Sequence, residues 1–533
     1  MTFLVNILMT LSVNGYFENQ PCLSVLNYMH CKPDKPRCFK RIGVVIGIFE
    51  PSKEGKAAEI GQLTAAGQRF NEKVAGKLLS LLNKSEELKE GKCRILYDVG
   101  ESFNAVAVVC LGKSGEGYVN SEEIHQGREN VRKAVAAGVV ALREVGMKEI
   151  HVDPCGYADA AAEGAFLSTF AFDELKSNVE DRKPVVDIRL YSEGKAADLE
   201  SLWKRGYILA SCQNLVRRLS DMPANLMTPV RFAELTKCTL KEFSNVEVVT
   251  HDNEWALEKK MGAFLSVGKG SDEPPVFLEI RLKAKKACRA PVCLVGKGVC
   301  FDSGGISLKP SASMGLMRFD MTGAACVLGC IYALAILHSD LPFDVIGLMP
   351  MVENMPSGKA NKPGDVVFAM NGKSIEIDNT DAEGRLILAD ALCYADTFEP
   401  SHVIDIATLT GAMKVALGYG VTGVFSNCDQ LWKKMHEAGI QTGDRVWRMP
   451  LFKHYSECVK LESVDVSNTS KPAFAGAAGA CTAAAFLKEF TECKSWMHVD
   501  IAGVTENKCG QPLFNSSMTG RPLRTLVQCI EHL

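Results

Sequence analysis

The chain has 533 residues, of which 47% are hydrophobic and 23% charged, and its formal net charge is −3. This length exceeds what one ordinary hydrophobic core organises, so two domains of a soluble globular protein are expected. The small net charge gives no reason to expect nucleic acid or an anionic membrane as a partner.

Twenty cysteines are scattered along the chain, and several lie inside apolar runs. In such a run a reduced cysteine acts as a small hydrophobe, as we expect for Cys293, Cys326 and Cys330. No pair has CxxC spacing, which disfavours a cysteine-based zinc site and favours a reducing compartment. We therefore predict a cytoplasmic protein.

Residues 1–40 differ in kind from the rest of the chain. Phe3–Val13 is apolar but short and follows no basic residue, so it is a poor signal peptide and too short to span a membrane. Basic residues begin only at Lys32. We expect an extension that is either disordered or a targeting segment; a mitochondrial presequence is the alternative to a cytoplasmic location. No transmembrane segment is expected elsewhere.

Residues 41–195 alternate between strand and helix patterns, which predicts a smaller N-terminal α/β domain. Strands are expected at Ile42–Phe49, Ala105–Leu111, Glu149–Val152 and Val185–Tyr191, and helices at Leu63–Leu88, Glu122–Val145 and Ala158–Phe172. Gly112-Lys113-Ser114 resembles the end of a phosphate loop. Ala107 stands where that loop needs its first glycine, so we do not expect nucleotide binding here.

A linking helix is expected at residues 196–220, because Asp198–Leu219 has amphipathic spacing and the chain then breaks. Residues 221–533 form a second α/β series, predicted to be a larger C-terminal domain with a central mixed sheet. Its expected strands are Val246–Thr250, Ala263–Val267, Val276–Lys283, Val292–Val295, Phe343–Met349 and His402–Ile406. Its expected helices begin at Pro229, cover Gly323–Leu337 and run through Ala483–Phe490.

A glycine-rich segment follows the strand at Pro291–Val295, at the carboxyl end where open α/β sheets place their ligands. It reads Gly296-Lys297-Gly298-Val299-Cys300-Phe301-Asp302-Ser303-Gly304-Gly305, and Lys309 and Asp320 follow. Taken alone, a glycine-rich loop with one lysine is more often a plain turn. Asp320 alone is more often a solvated charge or a helix cap.

A second charged segment joins the alternating run Ser374–Asp378 to a clear helix. It reads Asp378-Asn379-Thr380-Asp381-Ala382-Glu383-Gly384-Arg385-Leu386. Asp381 and Glu383 would also suit the positive end of a helix dipole, so capping is the competing interpretation. We then expect either these carboxylates or the Thr380 hydroxyl to cap the helix.

Together the two segments offer two lysines, one arginine and four candidate carboxylate ligands, namely Asp302, Asp320, Asp381 and Glu383. Oxygen ligands in this number suit two divalent ions that clamp a bridging water and lower its pKa, so that it becomes a nucleophile at neutral pH. Neither segment contains a histidine and the chain has no HExxH motif, which disfavours a histidine-based zinc protease.

Both segments resemble the leucine aminopeptidase (cytosol aminopeptidase) family of dinuclear zinc exopeptidases. The similarity extends across the second half of the chain, and the first domain is similar in layout rather than in motif. Further family-like segments are Asn225–Pro229, Met349-Pro350, Glu353-Asn354, Lys362–Asp365 and Ala407–Ala412. The resemblance implies a catalytic C-terminal domain that removes N-terminal residues from peptides with a free N-terminus.

The resemblance also implies a role for each charged residue. Asp302 and Glu383 would bridge two divalent ions, Asp381 would complete one site, and Lys297 with Asp320 would complete the other. The ions would be Zn²⁺, with Mn²⁺ or Mg²⁺ at an exchangeable site. Lys309 would polarise the scissile carbonyl, and Arg385 would hold a bicarbonate ion as general base. The substrate amine would bind one metal and Asp320.

The resemblance implies a homohexamer and a preference for leucine or another apolar first residue. The pocket for that residue would involve Met317, Thr408, Gly411 and Ala473–Ala480, although core packing is an equal alternative for Met317. Phe319 and Thr322 depart from the smaller residues usual beside Asp320, which bears on substrate range. The competing functions are a catalytically inactive family member with a structural or binding role and, more weakly, a nucleotide-binding enzyme.

Overall fold

The computed structural model describes residues 41–51, 61–192, 197–337, 339–471, 476–508, 510, 512–515 and 517–533. The predicted extension at residues 1–40 lies outside the described residues. Fifteen cysteines of the described part are free thiols, and most of them are buried.

The N-terminal domain is a five-stranded sheet with the order β2-β3-β1-β6-β7. Strands β1 and β3 run parallel and are buried on both faces, which explains their continuous apolar sequence. The elements are β1 (Ile42–Ile48), α1 (Ala65–Lys73), α2 (Lys77–Leu82), β2 (Cys93–Tyr97), β3 (Ala105–Cys110), β4 (Tyr118–Val119), β5 (Ile124–His125), α3 (Gln126–Glu144), β6 (Glu149–Val152), α4 (Ala158–Ser168) and β7 (Asp187–Leu190). The single helix expected at Leu63–Leu88 is wrong: Gly76, at φ 78°, divides it into α1 and α2.

The predicted linking helix is α5 (Ala197–Asp221). It packs against α4 on one side and against α9 (Thr322–Leu337) of the C-terminal domain on the other. Its C-terminal half is buried on nearly all sides, because both domains pack against it.

The C-terminal domain is built on a nine-stranded mixed sheet, as predicted. Its strands are β8 (Val246–His251), β9 (Val276–Leu282), β10 (Val292–Gly296), β11 (Gly298–Asp302), β12 (Val345–Asn354), β15 (His402–Ala407), β16 (Thr422–Ser426), β17 (Val446–Arg448) and β19 (Trp496–Asp500). A smaller sheet contains β13 (Asp365–Phe368), β14 (Ser374–Ile377) and β18 (Val466–Ser467). The helices besides α9 are α6 (Pro229–Leu240), α7 (Asn253–Glu258), α8 (Gly262–Gly268), α10 (Glu383–Asp396), α11 (Gly411–Leu417), α12 (Asp429–Thr442), α13 (Lys453–Val459), α14 (Gly479–Lys488) and α15 (Leu523–Glu531).

Four adjacent strands at the centre of this sheet, β12, β10, β15 and β19, run parallel to one another. Their carboxyl ends therefore open at one edge of the sheet, the position expected for a ligand site. One apolar layer, which includes α5, α9 and α15, covers one face, and a second, which includes α8, α10 and α14, covers the other.

The strand expected at Ala263–Val267 is wrong, because this run forms helix α8. The carboxylate of Asp390 accepts a hydrogen bond of 2.8 Å from the backbone N–H of Phe264, in the first turn. A mostly apolar run of five residues fits a buried helix as well as a buried strand, and the contact with the distant Asp390 favours the helix.

Among the described residues, Met314–Leu337 is the one helical stretch long and apolar enough to cross a membrane. Inside the protein, 89% of its most apolar window is buried. It comprises a 3₁₀ segment (Met314–Met321) followed by α9, which lies in the core of the C-terminal domain. These observations describe a core helix.

A buried ion network joins the two domains. Glu163 on α4 pairs with Arg132 on α3 and with Arg524 on α15, each at 2.6 Å. Arg524 also pairs with Asp444 at 3.3 Å, and Asp444 pairs with Arg521 at 2.9 Å. Burial alone would raise the pKa of Glu163, but Arg132 and Arg524 lower it to about 2.

We expect Glu163→Gln to destabilise the protein, because it leaves two buried arginines short of a partner. A folded-state pKa near 2 against an ordinary value of 4.5 corresponds to about 3 kcal/mol. Because the folded pKa is lowered, this contribution is complete above pH 4.5 and is lost as the pH falls toward 2. Unfolding measured against pH should show the variant's deficit shrinking over that window. The exposed Glu180→Gln is the control, and a deficit independent of pH would contradict the assignment.

Candidate metal centre

The parallel strands and the smaller sheet deliver the charged residues to one place. Lys297 directly follows β10 and Asp302 ends β11, while Asp320 lies in the 3₁₀ segment before α9. Asp381 and Glu383 lie where the chain passes from β14 into α10. The structure thus brings together the carboxylates and lysines of both predicted segments.

Glycines are required where backbone and charged side chains approach closely. Gly304 has φ 89°, and a Cβ there would stand 2.4 Å from the Ser307 carbonyl oxygen and 3.0 Å from Oδ1 of Asp381. A Cβ on Gly384 would stand 2.5 Å from the Lys297 side chain. The close packing of the two segments therefore excludes larger residues at both positions.

Each lysine bridges two carboxylates. Lys297 Nζ lies 2.7 Å from Oδ2 of Asp320 and 2.9 Å from Oε1 of Glu383, and donates to the Thr408 carbonyl at 3.0 Å. Burial opposes its charge, but the neighbouring carboxylates raise the pKa of Lys297 above its ordinary value.

Lys309 occupies the other side of the cluster. Its Nζ lies 2.8 Å from Oδ2 of Asp302 and also pairs with Asp381. Burial again opposes the charge, and the carboxylates of Asp302 and Glu383 raise the pKa of Lys309 above its ordinary value. The two ammonium groups thus connect the four carboxylates.

The cluster still has an excess of negative charge, because four carboxylates face two lysines. Burial and carboxylate neighbours raise the pKa of Asp302, of Asp320 and of Asp381. Oε2 of Glu383 is buried and has no hydrogen-bond partner among the described residues. Asp302, Asp381 and Glu383 each offer an oxygen ligand, and these three oxygens lie within 4.8 Å of one another. The donor set fits divalent cations, which prefer oxygen ligands and would supply the missing charge.

Arg385 lies in the first turn of α10, close to the cluster. Its Nη1 donates to the Asn468 carbonyl at 2.6 Å, while its buried Nε has no hydrogen-bond partner among the described residues. Burial lowers the pKa of Arg385 to about 10, against the pull of Glu383 and Asp500. A charged guanidinium whose Nε–H group is unused can bind a small anion.

The capping interpretation does not account for the carboxylates of the second segment. The N-cap residue of α10 is Ala382, and no side chain caps the helix. The Thr380 hydroxyl instead donates to the Gly304 carbonyl at 2.6 Å and accepts from the Ser307 N–H at 2.8 Å. The expected cap by Thr380 is therefore wrong, because this hydroxyl joins the two segments.

Sequence reasoning missed two residues that organise the site. Asn354, at the carboxyl end of β12, donates to Oδ1 of Asp302 at 2.8 Å and to the Thr380 carbonyl at 3.1 Å. Asn468 accepts at its carbonyl from Arg385 and donates to the Asn379 carbonyl at 2.7 Å. The position of Asn354 at a strand end was the available signal, whereas no local pattern marks Asn468.

Among the predicted pocket residues, Thr408 contacts the cluster directly. Thr408 is buried and its hydroxyl donates to Oδ1 of Asp320 at 2.6 Å, so it also positions a predicted ligand. Met317 is half-buried and Gly411 is exposed, with no atom within 4 Å of where its Cβ would stand. Residues 473–475 of the predicted segment Ala473–Ala480 lie outside the described residues, as does residue 472 before it. The pocket remains a prediction.

The two unusual residues beside Asp320 are turned toward the protein interior. Both are buried, and the Thr322 hydroxyl lies 2.5 Å from the Phe319 carbonyl and 2.9 Å from the Ser220 hydroxyl on α5. Thr322 therefore ties the segment carrying Asp320 to the linking helix.

Family models match both domains of the chain. Residues 214–527 match the model described as the catalytic domain of the cytosol aminopeptidase family, and residues 45–179 match that family's N-terminal domain. The chain belongs to the cytosol aminopeptidase family. The resemblance and the two-domain α/β fold predicted from the sequence are thereby confirmed, and the chain is a metal-dependent aminopeptidase of this family, a hydrolase.

Relatives match almost the whole length of this family member. The cytosol aminopeptidase of Sus scrofa is 52% identical over 95% of this chain and 95% of its own. That of Homo sapiens is 52% identical over 91% of this chain and 92% of its own. Among solved structures, the bottromycin maturation enzyme BotP in complex with Mn is 29% identical, with a TM-score of 0.76 over 92% of this chain and 99% of that one.

Proposed function

We propose that this aminopeptidase removes the N-terminal residue, preferably leucine or another apolar residue, from peptides with a free N-terminus. One observation carries the proposal: a buried carboxylate cluster with excess negative charge pairs with a charged lysine and lies close to an arginine with an unused donor. Such a site combines cation binding with groups that can bind a carbonyl oxygen and an anion.

Two divalent ions, Zn²⁺ with Mn²⁺ or Mg²⁺ at an exchangeable position, would be held by Asp302 and Glu383 jointly, by Asp381 on one side, and by Lys297 and Asp320 on the other. Bound there, they would act as Lewis acids and activate a water at neutral pH. Lys297 can ligate a metal only as the neutral amine, so metal binding must expel its proton.

Lys309 is assigned to the carbonyl oxygen of the scissile bond. Asp302 and Asp381 stabilise the positive charge of Lys309. A fifth of the Lys309 side chain is exposed, whereas that of Lys297 is buried. A preorganised ammonium group of this kind stabilises negative charge that develops on the carbonyl oxygen in the transition state.

Arg385 is assigned to a bicarbonate ion that serves as general base. The unpartnered Nε supports an anion there, and every carboxylate of the cluster is already committed to lysine or metal. A base from outside the chain is then needed, because neither segment contains a histidine.

The substrate's free amine would lie against Asp320, whose Oδ1 is fixed by Thr408. Its first side chain would lie near Met317, Thr408 and Gly411, where the open space beside Gly411 admits a branched apolar group. The proposal includes a homohexamer in the cytoplasm, in keeping with relatives named cytosol aminopeptidases.

The purified chain loaded with Mn²⁺ or Zn²⁺ is expected to hydrolyse a leucyl amide, and a chelator should abolish turnover until metal is restored. N-acetyl-leucyl amide is the matched control, because it lacks the free amine. Metal content, assembly size and turnover should be measured on one preparation. A metal-loaded hexamer without turnover would overturn the proposal and favour the catalytically inactive alternative.

A further inference from the structure

Two cysteines meet at the surface, away from the metal centre. Cys428 directly precedes helix α12, and Cys493 lies in the connection between α14 and β19. Strand β16 pairs antiparallel with β19, with Ser426 opposite Met497, and the Asn427 N–H donates to the Trp496 carbonyl at 3.3 Å. Continuing this register places Cys428 opposite Ser495, two residues from Cys493.

Both thiols lie beside Ser495. The Ser495 side chain is a hydrogen-bond partner of the Cys428 thiol, and its hydroxyl also lies 2.6 Å from Nδ1 of His402. Cys493 Sγ in turn lies 3.5 Å from the Ser495 carbonyl oxygen and 3.7 Å from that of Pro400, and either oxygen can accept its one proton. The two thiols therefore lie beside the same residue, and the pKa of Cys493 is raised by burial and in part by Cys428. A bond between them requires a local shift of the connection that carries Cys493.

Small solutes can reach this pair. Each cysteine is half-buried and has exposed neighbours in the chain, namely Asn427, Asp429, Glu492 and Lys494. A third thiol, Cys293, lies near Cys493 but is fully buried in a central strand. Access from solvent thus distinguishes the pair from the buried cysteines.

The two thiols differ in ionisation. Partial burial opposes a thiolate at Cys428, but the Ser495 hydroxyl and the N–H groups of Leu431 and Gln430 lower the pKa of Cys428. Burial raises the pKa of Cys493. Cys428 is therefore the more readily ionised thiol, and a thiolate is the form that attacks an oxidant.

We propose that Cys428 and Cys493 form a peroxide-sensitive dithiol, a reversible modification site separate from the metal centre. The Cys428 thiolate attacks one oxygen of hydrogen peroxide, the O–O bond breaks, and the leaving hydroxide takes a proton to become water. The resulting sulfenic acid is attacked by the sulfur of Cys493, so that an S–S bond forms and the S–O bond breaks. The released hydroxide takes the Cys493 proton, and two thiols have reduced one peroxide to two waters.

The test exposes the metal-loaded full-length protein to hydrogen peroxide and maps its cysteines by mass spectrometry. The expected product has lost two hydrogens, contains a peptide pair linking Cys428 to Cys493, and is restored by dithiothreitol. Cys428 should react at least about tenfold faster than the exposed Cys288, which serves as the internal control.

Two variants separate the steps. In Cys493→Ser the sulfenic acid of Cys428 should accumulate and be trapped by dimedone, whereas in Cys428→Ser the thiol of Cys493 should stay unmodified. Oxidation of Cys428 no faster than that of Cys288 would overturn the proposal. A bond from Cys493 to Cys293, or a persistent sulfenic acid in the unaltered protein, would overturn it as well. The mapping of the unaltered protein decides the question even if a variant fails to fold.

Discussion

Replacing Glu383 with alanine is expected to remove bound metal and activity together, with kcat/KM falling by on the order of 10³-fold or more. Glu383 is buried, pairs with Lys297 at 2.9 Å and keeps its second oxygen without a hydrogen-bond partner among the described residues. Its loss leaves three carboxylates facing two lysines, so the charge that attracts two divalent ions is halved. Metal content and kinetics measured on the same sample check this expectation.

Asp378→Asn is the matched control for Glu383→Ala. Asp378 follows the same strand β14, but its side chain is exposed and accepts a hydrogen bond from Thr469 rather than facing the cluster. The control should keep both metal and turnover. Full metal occupancy in Glu383→Ala would refute the role of Glu383 as a ligand, and a loss of the folded state in its circular dichroism would point to a structural role.

Lys309→Ala is expected to lower kcat by about 10²- to 10³-fold while the protein keeps its metal. The Lys309 ammonium compensates the charge of Asp302 and Asp381, so removing it makes these carboxylates more attractive to a cation. The missing function is then the positive charge at the carbonyl oxygen. The measurement is kcat and KM at saturating metal, with metal content determined in parallel.

Lys362→Ala is the control for Lys309→Ala. Lys362 is exposed and pairs at the surface with Asp365 at 3.0 Å, so its loss should change neither metal content nor kcat. If Lys309→Ala loses metal to the same extent as Glu383→Ala, Lys309 is part of the metal-holding structure and its assignment to the carbonyl oxygen fails.

Secondary structure could be predicted from the sequence wherever the apolar pattern was long and fitted only one kind of element. The parallel core strands and α9 follow from continuous apolar runs, which fit only buried elements. The run at Ala263–Val267 was misassigned because a mostly apolar run of five residues suits either element, and the hydrogen bond to Asp390, distant in sequence, favours the helix. The break at Gly76 was missed because glycine is tolerated inside helical patterns and only its φ of 78° shows the turn.

The sequence by itself determined the family, the two-domain α/β fold and the composition of the charged cluster, because carboxylates and lysines at strand ends are a local signal. Only the tertiary structure decided what each group contacts. It showed that Thr380 joins the two segments instead of capping α10, that Asn354 holds Asp302, and that each lysine bridges two carboxylates. These contacts connect residues far apart in the chain and depend on strand order and register, which no local pattern specifies.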